Sequence, residues 1–103
     1  MAVVVIVGGP AALIAATRQA SGLVAAARVE TAEMATAATV AATHRPFAIV
    51  MSEEVYGFDP AEFDALARDV NATLIRIDMA NMTQTKLERT LMPKLGQAHR
   101  KRG

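Results

Sequence analysis

The sequence contains no cysteine and no tryptophan, one tyrosine and three phenylalanines among its 103 residues. Without a thiol there is no disulfide framework and no cysteine-ligated metal site, and the chain suits a reducing compartment such as the cytoplasm. With so few rings the core has to be built from small aliphatic side chains, and 22 alanines supply much of it. Alanine-faced elements approach closely but bury little area each, so a domain of this size is expected to be marginally stable or to lean on a partner. Hydrophobic residues make up 52% and charged residues 20%, which excludes disorder and bounds one globular domain. Long apolar runs are also lacking. Gly8, Gly9 and Pro10 interrupt the uncharged residues 1–17 well short of the roughly 20 that a spanning helix needs, and no basic start marks a secretory leader. No membrane association is expected.

The formal net charge of +1 conceals a segregation. Residues 51–80 hold seven carboxylates against Arg68 and Arg76, whereas residues 81–103 hold six lysines and arginines against Glu88 alone. An acidic middle and a basic end attract one another, or the opposite poles of a second molecule, and this favours protein contacts.

Val3–Val7 is an unbroken run of β-branched residues, the pattern of a strand covered on both faces. Gly8-Gly9-Pro10 then turns the chain into a helix through Leu13, Ile14, Ala16 and Ala20, ended by Ser21-Gly22. Residues 23–29 read as a weaker strand, with Thr31 as the N-cap of a helix carrying Met34, Ala38, Ala41 and Ala42 and stopped by Arg45-Pro46. Residues 47–51 form a third buried strand, followed by a loop over residues 52–58. Asp59-Pro60-Ala61-Glu62 opens a helix through Phe63, Leu66, Ala67 and Val70. Thr73–Ile77 is the fourth strand, and its Arg76 marks it as an edge. Thr85-Lys86-Leu87-Glu88 reads as a capping box for a last helix that Pro93 should kink or end.

Strand and helix alternating in this way predict a three-layer, flavodoxin-like α/β fold. Its short parallel sheet has four strands in the order 2-1-3-4, with helices on both faces and right-handed crossovers. The domain spans residues 1–95, and residues 96–103 are a solvated basic tail. A site should lie outside the carboxyl ends of the strands, near Gly8, Glu30, Ser52 and Asp78.

Several local patterns bear on chemistry. The turn at residues 7–12 is similar to the opening of a dinucleotide-binding unit, with Glu30 at a suitable distance for a ribose contact, but it is one glycine short. As the alternative function, Gly8, Gly9 and the amides of Ala11 and Ala12 would form a nest for the phosphate of a nucleotide. Glu53 and Glu54, with Asp59 and Asp78, offer oxygen ligands for Mg²⁺, although neighbours at a strand end point apart and suit a solvated rim; no metal or cofactor is expected. His44 and His99 have no spaced second ligand and fit helix-end and solvent roles. Tyr56 and Phe58 put most of the aromatic surface in one loop, where they either anchor a partner or fold back on the next helix. The basic stretch from His99 to Arg102 lacks interleaved aromatics, so nucleic acid is not the expected partner.

Taken together, Val3–Val7 with Gly8-Gly9-Pro10, the segment from Arg45-Pro46 through Ser52, and the loop into Asp59-Pro60-Ala61-Glu62-Phe63 resemble the receiver domain of bacterial response regulators, degenerate and truncated. The resemblance runs over residues 1–78, and the helix around residues 85–95 matches the family's closing helix. It implies that the family's acidic pair falls on Val7 and Gly8, its phosphoacceptor on Ser52, and its switch hydroxyl on Ile77 or Asp78. The family's penultimate helix and fifth strand, whose end carries its lysine, have no room between Asp78 and Thr85. Phosphoryl transfer needs carboxylates around a divalent ion, and neither the acidic-pair positions nor the acceptor position carries one.

The resemblance therefore implies a pseudo-receiver, not an enzyme, that binds protein in bacterial signalling or regulation without being phosphorylated. A sheet that stops at its fourth strand leaves an edge to be covered, by the last helix or by a second copy in a two-fold arrangement, and a homodimer is expected. Arg76, Lys86 and Arg89 join Tyr56 and Phe58 as expected contact residues.

Overall fold

The computed structural model describes residues 1–102. Its elements are β1 (Val3–Val7), α1 (Ala11–Ala25), β2 (Arg28–Ala32), a 3₁₀ turn (Met34–Thr36), α2 (Ala37–His44), β3 (Ala48–Ser52), α3 (Glu53–Tyr56), α4 (Pro60–Asp69), β4 (Thr73–Ile77) and α5 (Gln84–Arg102). The four strands are parallel and lie in the order β2-β1-β3-β4, the flavodoxin-like arrangement that the alternating pattern predicts.

The two central strands, β1 and β3, are buried at every position, as their uninterrupted apolar runs require. Alternate residues feed two cores. Val4, Ile6, Val50, Ile75 and Ile77 meet α1 and α5, while Val5, Val7, Ile49 and Met51 meet α2, α3 and α4. The first core is closed by the leucine ladder Leu87, Leu91 and Leu95 against Leu13, Ala16 and Ala20, all fully buried. Small residues on α1 let the longer side chains of α5 fill the space, and this helix pair forms the most extensive contact between two elements.

Several boundaries differ from those expected: β3 extends to Ser52, and the loop expected over residues 52–58 contains the short helix α3, which Ser52 caps. α1 does not stop at Ser21-Gly22 but continues to Ala25, and Ala26 ends it in the left-handed conformation with φ 47°. An apolar stretch rich in alanine fits helix and strand alike, and alanine's propensity decides for helix. The second strand therefore begins at Arg28, with Thr31 inside it opposite Ile6, not at a helix cap. The helix expected from Thr31 is delayed to Ala37 by the 3₁₀ turn, and it buries Ala37 and Ala41 while Met34, Ala38 and Ala42 stay exposed.

The largest correction concerns the end of the chain. α5 passes through Pro93 and runs to Arg102, so residues 96–102 are not a solvated tail; the expected tail's last residue, Gly103, lies outside the described residues. A proline inside a helix costs about 3 kcal/mol. Burying a leucine on each side of it contributes about 1.5–3 kcal/mol apiece, enough to carry the helix through. The last turns are pinned as well. The rings of His99 and Phe47 meet edge to face at 5.1 Å, and Arg102 Nη1 donates to the Pro46 carbonyl at 2.6 Å. The N-cap hydroxyl of α5 is that of Thr83, which accepts from Lys86 N–H at 3.2 Å, two residues earlier than the expected Thr85. Among the described residues no helix is long and apolar enough to cross a membrane.

Candidate functional site

At the carboxyl ends of the strands, Gly9, Ser52, Glu53, Glu54, Asp78 and Met79 line a depression of about 640 Å³. Of the positions that the resemblance singles out, Ser52 and Asp78 reach this depression, whereas Val7, Gly8 and Ile77 do not line it. Val7 is fully buried and offers only hydrocarbon, and Ile77 is 1% exposed. Gly8, at φ 61°, spends its N–H on the Ala32 carbonyl at 2.7 Å. The Ser52 side chain is buried, and its Oγ accepts from Val55 N–H at 3.1 Å as the N-cap of α3. Asp78 Oδ1 closes a local turn by accepting from Ala80 N–H at 3.0 Å. Ser52, Asp78 and the Gly8 amide are thus engaged in holding their own loops, while Glu54 borders the depression without a side-chain partner among the described residues.

The phosphate nest is also depleted. With the Gly8 amide committed to Ala32, only Gly9, Ala11 and Ala12 remain around the start of α1, and no basic side chain lines the adjoining depression formed by Thr31, Glu33 and Thr36. Among the described residues no three His, Cys, Asp or Glu side chains are grouped to hold a metal ion. Glu53 and Glu54 open α3 and both border the depression. Glu53 turns sideways to β4.

That sideways turn creates a polar cluster that sequence reading missed. Arg76 Nε donates to Glu53 Oε1 at 2.7 Å and its Nη2 to Oε2 at 2.9 Å. The guanidinium carbon stands 3.9 Å from the centroid of the Tyr56 ring, and the Tyr56 hydroxyl donates to the Asp64 carboxylate at 2.9–3.0 Å. The chain Glu53–Arg76–Tyr56–Asp64 ties α3, β4 and α4 together at the surface. Arg76's hydrogen bonds hold the Glu53 carboxyl below its ordinary value and raise the guanidinium further, while donation to Asp64 pushes the Tyr56 phenol up. The only sequence signals for it were the acids clustered between residues 53 and 64 and the lone arginine in a strand.

The five expected contact residues therefore separate. Tyr56 and Arg76 are joined in this cluster, Phe58 stands apart with 69% exposure and does not fold back, and Lys86 and Arg89 are exposed on the first turns of α5. A second groove, of about 300 Å³, follows the outer side of β4 and is bordered by Lys94, Gln97 and Lys101 from the second half of α5. Helical spacing of three, four and seven puts these side chains in one stripe.

Comparison with protein-family models, with curated proteins and with solved structures finds no match.

Proposed function

We propose that this chain is a non-catalytic, receiver-like module of bacterial signalling or regulation that acts by binding protein, independently of phosphorylation and without a cofactor. The observation that supports it is the state of Ser52. The residue at the resemblance's acceptor position is a buried hydroxyl committed to capping α3, and its neighbours from β1 are hydrocarbon and a glycine backbone. Phosphoryl transfer to such a position lacks the carboxylates that would hold a divalent ion and neutralise the developing charge. What remains at the surface is the open edge of β4 with charged helices on either side, a surface suited to contact rather than reaction.

The experiment is incubation with a small acyl phosphate and Mg²⁺, followed by intact-mass measurement. The mass is expected to stay unchanged, and a stoichiometric phosphoryl adduct overturns the reading. A homodimer would use the same edge, but self-pairing sets like charges side by side, so a separate protein is the occupant we favour.

A further inference from the structure

β4 ends the sheet on one side, and only its inner edge is paired. Thr73 N–H donates to the Phe47 carbonyl at 2.9 Å. Residues 73, 75 and 77 therefore turn their amide groups toward β3, and by strand alternation those of Leu74 and Arg76 face outward. The groove along this edge is lined by the cations Arg76, Lys94 and Lys101 and by no carboxylate. Arg76 is already occupied by Glu53, whereas neither lysine has an ion-pair partner among the described residues.

We propose that the β4 edge takes up a short acidic segment of another protein as an added outer strand, its backbone pairing with Leu74 and Arg76 and its carboxylates meeting Lys94 and Lys101. The inference rests on the reading of the chain as a protein-binding module and names the class of its partner. The two lysines are seven residues apart on α5, about 10 Å along the axis. Extended chain covers that span in three to four residues. Acids two or four residues apart on one side of the added strand, with flexible lysine stems reaching for them, satisfy both charges.

Charge and symmetry speak against a second copy as the occupant. A closed dimer through this edge requires antiparallel β4 pairing about a two-fold axis normal to the sheet. That operation keeps each face of the sheet on its own side, so α5 lies beside α5 and the lysine stripes confront one another. Nucleic acid would answer the lysines but leave the outward amides of β4 without partners.

The test uses the full chain and a labelled peptide alternating glutamate and valine, followed by fluorescence anisotropy. Saturable binding is expected, with amide shift changes centred on residues 73–78 and on α5, and weakened by salt. K94E/K101E should weaken it about tenfold, as two exposed pairs turn repulsive. K94Q/K101Q, which leaves no new charge, should give a smaller loss in the same direction. The proposal is overturned if the peptide does not bind, or if a version N-methylated at alternate amides, or oligothymidylate, competes equally well. It is also overturned if light scattering finds a dimer that the peptide cannot displace. A phosphoryl adduct in the mass experiment would remove the non-catalytic reading and leave this result standing, while absence of peptide binding removes this proposal alone.

Discussion

Arg76 holds Glu53 by two near-parallel hydrogen bonds of 2.7 and 2.9 Å, across 23 residues of sequence, and so ties the first turn of α3 to the edge strand. Both side chains are more than two-fifths exposed, so water screens the pair and its contribution at neutral pH is small. Its pH dependence is the sharper signature. Because the folded-state carboxyl lies below its ordinary 4.5, the stabilisation is fully present above that value and is lost as pH falls through the lower folded value. Denaturant titrations of the wild type and E53Q should differ by a constant amount from neutral pH down toward the ordinary carboxylate range and converge as pH falls through the lowered folded-state value. A difference that grows on acidification would contradict the pairing.

Tyr56 is the only tyrosine, which makes its ionisation readable by ultraviolet titration. Its hydroxyl donates to Asp64, an interaction available only to the neutral phenol, so ionisation is deferred above the ordinary 10.0. The associated stability is present below that pH and disappears as pH rises through the folded-state value. D64N should return the titration toward the ordinary range, and an unchanged curve in that variant would show that the hydrogen bond is not what holds the proton.

Two buried serines are predicted to respond in opposite senses to the same substitution. Ser52 Oγ caps α3, so S52A should lower stability by about 1 kcal/mol. Ser21, on the face of α1 turned into the core, is fully buried, and its Oγ has no hydrogen-bond partner among the described residues. Replacing it with alanine removes an unsatisfied hydroxyl and improves helix propensity, so S21A should raise stability by about 1 kcal/mol. Urea unfolding of both variants decides the matter, and a loss in S21A would mean that the hydroxyl has found a partner.

Much of this fold was legible because its central strands are covered on both faces. Residues 3–7 and 48–51 can be little other than buried strands, and Arg76 announced the edge. The alanine-rich stretch from residue 23 to residue 32 was not legible, since alanine serves helix and strand core alike and the boundary is set by where Ala26 adopts a left-handed turn. At the mouth, the missing carboxylates could be read directly. The commitment of Ser52 and of the Gly8 amide to their own loops could not, because both bonds depend on backbone placement across the sheet. The lysine stripe beside β4 was hidden for a different reason: Pro93 suggested a stop, and burial of Leu95 and Ala98 beyond it overrode the local signal.

That override makes Pro93 itself a test of the architecture. The residue is exposed in the middle of α5, and it withholds an N–H from the turn before it. P93A restores the donor and removes the ring's clash, a gain of up to about 3 kcal/mol in a helix interior. The greater freedom of the unfolded chain offsets part of it, by about 0.4–1 kcal/mol, so a net rise of about 1–2 kcal/mol is expected in urea unfolding. Removing residues 96–102 should act the other way, because it strips the Ala98 packing, the His99–Phe47 contact and the Arg102 bond to Pro46 from the base of the sheet. If the helix ended at Pro93, the substitution would be neutral and the truncation harmless; a stabilised P93A together with a destabilised truncation is the outcome that a continuous, packed α5 demands.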